Sequence, residues 1–443
     1  MNYLKYASGL ALATVLLAAA APLWSAAQAV PVGTAAVPDP GPAAVAGAAA
    51  ADCTAPASWF SGPSIPVPEP AKVSQFQSNC GFHQYSWQAF LWLTEADKTG
   101  QLRFETLYSD RAIHPNARSP RKHVLGGVNQ ADSHGILVDL NGRAVYTTLL
   151  IDDAYRDFVI KNKLYTAAGM QAAPAALVFP VGALSLKATW KIVAAGEDVS
   201  RFYITTARIK LLSKIGNGVG IASRPKIVSA RVALVGLHIA QVVADHPEAI
   251  WATFEHVDNA PDFAPGQPRN AAVSDKSFTF YQAGTTAANC NAGNAGVITL
   301  DAATQKLTPL SQACRQFRNG GGNTANVANI DAINASVLAQ LPAGSLWKHY
   351  REVGAVWFKT SNDLKPDWTP NIDATMVTGS LTLSSAVIET FTQNNTATNS
   401  CFSCHNTMSV TNASDITRTL AGKNVSTSHI LLQNYLKVSS VKR

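Results

Sequence analysis

Apolar residues recur along the chain in two patterns, and these divide it into a strand-rich part and a later helix-rich part. The strand pattern is clearest at residues 136–150, where two β-prone runs flank Asn141 and Gly142. An Asn-Gly pair predicts a hairpin turn because both turn positions take positive φ angles. Further strands are predicted at residues 186–193, 201–210, 231–240 and 249–257.

The helical pattern, with apolar residues three and four positions apart, occurs early and late in the chain. It predicts helices at residues 81–96 and 152–165. After the strands it predicts helices at residues 330–341, 346–353, 385–393 and 429–436. The fold class that this order predicts is α+β. A β-rich N-terminal domain, built as an antiparallel sheet or sandwich, is followed by a smaller, mainly helical C-terminal segment.

The residue composition of successive segments predicts the boundaries between these parts. Residues 1–29 are predicted to be a signal peptide, and residues 30–79 are rich in Ala and Pro, which favours an exported linker because prolines interrupt helices. The β-rich domain then covers residues 80–285. A Gly- and Asn-rich loop covers residues 286–326, and the helical, haem-bearing segment covers residues 327–443.

The first 29 residues have the three parts of an export signal. Lys5 provides the positive start, residues 10–23 are almost wholly apolar, and Ala27-Gln28-Ala29 offers small residues at a cleavage site. A membrane anchor is the alternative, but the apolar stretch is shorter than the roughly 20 residues that a spanning helix needs. We therefore predict cleavage after Ala29, no later membrane span, and a periplasmic or secreted protein of a Gram-negative bacterium.

The chain contains six cysteines, and disulfides persist outside the cytosol. Four of them, Cys53, Cys80, Cys290 and Cys314, remain when the pair at 401 and 404 is set aside. The simplest pairing joins neighbours in the sequence, Cys53 with Cys80 and Cys290 with Cys314. Four cysteines allow three connectivities, so the sequence alone leaves the other two open.

Residues 401–405 read Cys-Phe-Ser-Cys-His and carry the strongest chemical signal in the chain. Two thiols three positions apart on a helical turn are placed to bond covalently to one edge of a porphyrin, and the next residue then reaches the iron. The motif therefore predicts one covalent haem c, attached through Cys401 and Cys404, with His405 as the proximal iron ligand.

Two other uses of a cysteine pair fit the sequence less well. A thioredoxin-like dithiol lies at the start of a helix that follows a strand in a βαβ unit, and no such pattern precedes Cys401. A zinc site needs two further ligands, and no second Cys or His pair is near in the sequence. Haem attachment is therefore favoured over both.

The motif at Cys401 to His405 resembles that of c-type cytochromes, which implies haem c. The wider chain, over roughly residues 80–440, resembles a family of exported bacterial mono-haem cytochrome c proteins, which adds no catalytic residues. The segments that carry this resemblance are 235–239, 251–259 and 387–391. A small cytochrome c usually has its motif near the start and a distal Met later, whereas only 38 residues follow His405 here.

The motif does not determine the sixth ligand of the iron. His429, 24 residues after His405, is one candidate and would give a bis-histidine iron. Met376 is a second candidate, and an open or water-occupied position is a further alternative. The remaining candidates are histidines upstream of the motif: His238, His256 and His349.

The strand-rich part holds a second group of candidate residues. On a strand over residues 255–258, His256 and Asp258 face the same side, and a neighbouring strand with His238 would complete a small metal or acid–base site. Strand histidines beside aromatic residues are more often hydrogen-bonded core residues. We favour that second interpretation.

The distribution of charged residues indicates which partners the protein can have. The formal net charge is +7, but the lysines and arginines are scattered, so we expect a solubilising surface and no nucleic-acid partner. Single-electron transfer with an unidentified redox partner protein is the leading hypothesis for a one-haem protein. A haem peroxidase or oxygenase with an open distal site, and a haem-based sensor or binding protein, are the alternatives.

Overall fold

The computed structural model describes residues 53–75, 79–117, 124–130, 135–320, 324–370, 376–387, 401–412 and 415–440. The predicted signal peptide lies outside these residues, and so does the predicted helix at 385–393 from residue 388 onward. Residues 385–387 are described and are not helical.

The described residues contain six α-helices: α1 (Asn79–Leu93), α2 (Asp153–Lys161), α3 (Ala167–Ala172), α4 (Thr324–Gln340), α5 (Cys401–Cys404) and α6 (His429–Ser440). The helices predicted at 81–96, 152–165, 330–341 and 429–436 are therefore confirmed, within a few residues at their ends. None of the helices in the described ranges is both long enough and apolar enough to span a bilayer.

The strands of the described residues are β1 (Tyr108–Ser109), β2 (Val124–Leu125), β3 (Tyr146–Ile151), β4 (Leu184–Ile192), β5 (Ile204–Lys210), β6 (Ser213–Ile215), β7 (Gly218–Gly220), β8 (Ile227–Val243), β9 (His246–His256), β10 (Thr299–Asp301), β11 (Lys306–Thr308), β12 (Tyr350–Phe358), β13 (Val377–Gly379), β14 (Val410–Asn412) and β15 (Asp415–Leu420). Nine of them form one sheet in the order β1-β3-β4-β8-β9-β12-β13, with β5 beside β8 and β2 beside β5. All pairs in this sheet are antiparallel except β2 with β5.

The α+β class with a large antiparallel sheet agrees with the prediction, but the residues after 326 that the structure describes contain strands as well as helices. The helix predicted at 346–353 is wrong, because a 3-10 turn at Leu346–His349 leads directly into β12. A short apolar run fits a buried strand as well as a helix, and here pairing with β9 decides between them. The sheet therefore crosses the boundaries predicted at residues 285 and 327.

Residues 53–75, which belong to the predicted linker, pack in part into the core. Cys53, Ala55 and Trp59 are buried in the main core, and the Ala55 N–H donates to the Ser336 hydroxyl on α4 (3.0 Å). The two predicted disulfides are confirmed: Cys53 bonds to Cys80, and Cys290 bonds to Cys314. The first of these joins the early segment to α1.

The predicted hairpin at residues 136–150 forms only in part. A turn is present at residues 139–142, where the Gly142 N–H donates to the Asp139 carbonyl at 2.9 Å, but of the Asn141-Gly142 pair only Gly142 has a positive φ, +75°. Strand β3 follows it. The first arm makes only isolated bridges such as Val138 with Ala144. The Asp139 carboxylate accepts hydrogen bonds from the N–H groups of Asn141 and Arg143, so a side chain stabilises the turn where a longer ladder was expected.

Helices and segments cover both faces of the sheet. On one face, α1 packs in a stacked pair of rings against β12, Phe82 on Trp357 at 4.4 Å, and in another against β9, Phe90 on Phe254 at 4.4 Å. The opposite face carries a second apolar cluster, to which α2, α3, α5 and α6 contribute. The Cys-Phe-Ser-Cys-His motif lies on this second face.

Candidate functional site

The motif forms one helical turn, and its second residue, Phe402, anchors that turn to the sheet. The His405 N–H donates to the Cys401 carbonyl at 2.7 Å and closes the turn. Phe402 is buried, and its ring centroid lies 4.6 Å from that of Phe358 on β12. Cys401 is half-buried and Cys404 is exposed. The apolar residue thus holds the turn on the sheet while the cysteines remain towards the surface.

The His405 ring is held in one tautomer. Its Nδ1 lies 2.8 Å from the carbonyl oxygen of Thr427, which ends the 3-10 turn before α6. A carbonyl only accepts, so Nδ1 carries the proton and donates. In the neutral ring the lone pair is then on Nε2, which makes no hydrogen bond to the residues that the structure describes. Nε2 is therefore the nitrogen that can bind a metal.

Trp251 of β9 packs against His405, with ring centroids 4.1 Å apart. The indole N–H of Trp251 donates to the Glu248 carbonyl at 2.7 Å, which fixes the position of the ring. Burial lowers the pKa of His405 well below its usual value, and the nearby positive charge that His429 would carry adds to this effect. The imidazole is thus kept neutral, the form that binds metals.

His429, at the first position of α6, stacks face to face on His405 with ring centroids 3.8 Å apart and 17° between the planes. Its Nε2 donates to the Cys404 carbonyl at 3.0 Å. His429 thus lies beside the face of His405 with its Nε2 engaged, so it would have to move before it could hold a haem iron as a second ligand.

The donor set fits a haem c better than a bare metal ion. No three His, Cys, Asp or Glu side chains of the described ranges converge on a position that could hold a metal ion. A haem brings most of its iron ligands with it, so the protein would need to supply few. His405 could hold the iron through Nε2, and the two thiols on one turn would hold the porphyrin covalently.

A small cavity lies beside this group, lined by Tyr155, Glu248, Trp251, Thr427 and Ser428 among others. Its volume is about 30 Å³.

Of the second group of candidates, His256 and Asp258 lie together, with the His256 Nδ1 3.8 Å from the Asp258 carboxylate, but His238 does not join them. His238 pairs across the strands with Thr253, and its Nδ1 lies 2.8 Å from the Thr253 hydroxyl. Glu255 is fully buried and forms an ion pair with Arg315 at 2.8 Å. These partners are those of core residues rather than of a metal or acid–base site.

His256 has the surroundings of a core residue. It stacks on Phe202 at 3.6 Å, its Nε2 donates to the Arg201 carbonyl at 3.1 Å, and its Nδ1 accepts from the Asp258 N–H at 3.1 Å. Burial lowers the pKa of His256 to about 3. His349 lies beside His256, with ring centroids 5.9 Å apart. His256 is the last residue of β9, beyond Trp251, the residue of that strand that packs against His405.

Two residues of the site, Trp251 and Thr427, could not have been identified from the sequence. Trp251 precedes the motif by 150 positions, and Thr427 acts through its backbone carbonyl, which any residue type possesses. Met376, another candidate ligand, is half-buried and packs against the second apolar cluster. Comparison of the chain with protein-family models, with curated proteins and with solved structures finds no match.

Proposed function

We propose that this protein is an exported c-type cytochrome with one haem, attached to Cys401 and Cys404 and bound through His405, and that it transfers single electrons. The observation that carries the proposal is the hydrogen bond from His405 Nδ1 to the Thr427 carbonyl. It puts the proton on Nδ1 and leaves the lone pair of Nε2 for a ligand, in the residue directly after the turn that carries the two cysteines. Metal-binding histidines commonly have such a second hydrogen bond.

Each residue of the site has a separate task in this proposal. Cys401 and Cys404 would hold the cofactor covalently, and Phe402 anchors their turn to the sheet. Trp251 fixes one contact surface of the His405 ring. When bound, haem supplies reversible one-electron chemistry, while the protein controls the axial ligand and the exclusion of water.

Export and a periplasmic location belong to the same proposal. Two disulfides are typical of proteins that fold in an oxidising compartment, and c-type haem is attached outside the bacterial cytosol. The predicted signal peptide at residues 1–29 would direct the chain there. An unidentified redox protein would then exchange electrons with it.

Covalent attachment is tested by expressing the full chain in a bacterium with the cytochrome c maturation machinery. We expect the purified protein to gain the mass of one haem and to keep its colour when extracted with acidified acetone. The Cys401→Ser/Cys404→Ser variant should lose both properties. The matched control is Cys290→Ser/Cys314→Ser, which removes two cysteines of a disulfide and leaves the motif intact. A wild-type chain without the added mass would overturn the proposal.

The electron-carrier function is separated from the enzyme and sensor alternatives by carbon monoxide. A carrier with two protein ligands is expected to show a low-spin ferrous spectrum that carbon monoxide does not change. An open position would bind the gas, shift the absorbance and favour a haem peroxidase, oxygenase or sensor.

A further inference from the structure

Residues 199–244 contain seven basic residues and no acidic one. Arg201 is paired, because its guanidinium lies 2.8 Å from the Asp258 carboxylate. The other six form no ion pair with any carboxylate of the described ranges. These six are Arg208, Lys210, Lys214, Arg224, Lys226 and Arg231. Their charge is therefore not neutralised within the fold.

The fold sets three of these charges, Arg208, Lys210 and Arg231, on one face of the sheet. In the pairing of β5 with β8, Thr206 lies opposite Arg231, Arg208 opposite Ser229, and Lys210 opposite Ile227. Paired residues of an antiparallel ladder project from the same face of the sheet. All six are exposed except Lys210, which is half-buried. The alternate residues, Ala207, Ile209, Val228 and Ala230, pack against the main core.

We call this surface the basic ribbon: the outer face of β5 and of residues 227–231, together with the hairpin β6–β7 and residues 224–226. Its base is fixed, because the Leu212 N–H donates to the Gln305 side chain at 2.8 Å. The pKa of Lys210 is lowered, first by partial burial and then by the positive charges of Arg111 and Lys437, which Asp110 opposes. The positive potential thus extends towards α6.

Two isoleucines are exposed on the same ribbon. Ile215 lies at the hairpin tip with 49% of its surface exposed, and Ile227 is 39% exposed. Each follows a lysine directly, Lys214 and Lys226. The tip turns at Gly216, where the φ of +55° favours glycine. A projecting apolar side chain between cations is a combination that suits a surface with anionic groups above an apolar layer.

We propose that the basic ribbon binds the anionic phospholipid headgroups of a bilayer, with Ile215 inserted at the interface. Lysines and arginines near an anionic leaflet each contribute to binding, and apolar side chains add to it by burial at the acyl boundary. An acidic partner protein would use the same charges. The exposed isoleucine at the hairpin tip favours the lipid, since it can enter a bilayer without a complementary pocket.

The test is vesicle flotation with the purified full chain. Vesicles of equal parts phosphatidylglycerol and phosphatidylcholine should bind it, and vesicles of pure phosphatidylcholine should not. The Arg208→Gln/Arg231→Gln variant should bind about 30-fold more weakly, since each cation near the surface is worth roughly fivefold. The matched control is Lys98→Gln/Lys276→Gln, which removes the same charge from two exposed lysines outside the ribbon and should change binding less than about twofold.

Ile215→Ser keeps the charge and removes the apolar tip, so it should weaken binding by about fivefold. Equal losses in the ribbon variant and in the control would overturn the proposal, because net charge alone would then explain binding. Unchanged binding of the Ile215→Ser variant would overturn the assignment to lipid and favour an acidic protein. Binding should also be the same in the Cys401→Ser/Cys404→Ser variant, which keeps this test independent of haem.

Discussion

His256 and His405 lie in similar surroundings but differ in one bond. Each packs against an aromatic ring, Phe202 at 3.6 Å for His256 and Trp251 at 4.1 Å for His405. Burial lowers the pKa of both imidazoles. Backbone groups satisfy both ring nitrogens of His256, whereas only Nδ1 of His405 has such a partner.

The number of bonded ring nitrogens therefore decides whether such a histidine is structural or can bind a ligand. A buried histidine with two backbone partners is neutral, fixed and chemically closed. A buried histidine with one partner is neutral and fixed as well, but its second nitrogen keeps a lone pair for a ligand. Substitutions at the two histidines and at their neighbours test this distinction.

The largest expected effect is on haem content. His405→Ala should lower the ratio of haem to protein roughly tenfold or more, because the iron loses its proximal ligand. His256→Gln should leave that ratio unchanged. The measurement is the absorbance of the haem against protein concentration in material prepared from the same host. Equal haem content in both variants would contradict the role of His405.

The next effect is on stability and its pH dependence. His256→Gln should lower the free energy of unfolding by about 2 kcal/mol near neutral pH, because the ring stack and one backbone partner are lost. In the wild type, the unfolded chain protonates this histidine at about pH 6.5 and the folded chain only at about pH 3. Wild-type stability from this residue is therefore full above that window and falls as the pH falls through it.

The difference between wild type and His256→Gln should consequently shrink as the pH falls, by up to about 1.4 kcal/mol per pH unit. Denaturant unfolding near neutral pH and in the middle of the window measures it. Burial raises the pKa of Asp139 and of Asp152 to about 6, which acts in the opposite direction in both proteins and cancels in the comparison. A difference that does not depend on pH would show that His256 is not buried in its neutral form.

A smaller effect is expected at Trp251. Trp251→Phe keeps an aromatic ring beside His405 but removes the hydrogen bond to the Glu248 carbonyl, which should cost about 1 kcal/mol of stability. In the haem-loaded protein the same change should alter the ligand field of the iron, which is measured as a change in the ferric absorbance spectrum. Phe202→Leu, at the ring that packs on His256, is the control and should leave the spectrum unchanged.

The smallest effect is expected at His429. His429→Phe preserves an aromatic ring on the face of His405 and should change stability by less than about 1 kcal/mol. The ferric spectrum should keep its spin state, since His429 lies beside His405 rather than across from it. Conversion from low spin to high spin would instead identify His429 as the distal ligand.

The sequence alone determined those features that depend on neighbouring residues. The turn at Asn141-Gly142, the helices α1, α2, α4 and α6 and the haem motif all follow from local spacing or residue type. For the disulfides the sequence offered three connectivities, and the structure has the simplest of them. The sequence also predicted that residues 346–353 were helical, and there a contact with β9, almost 100 residues away, decided for a strand. Local periodicity cannot represent the energy of such a pairing.

Only the tertiary structure could decide which distant residues meet. It brings Trp251 and the Thr427 carbonyl to His405, separates His238 from His256, and gathers scattered cations on one face of β5 and β8. The +7 charge looked like an ordinary solubilising surface in the linear sequence. Antiparallel pairing changes that picture, because it sets side chains that are 17 to 25 positions apart next to each other on one surface.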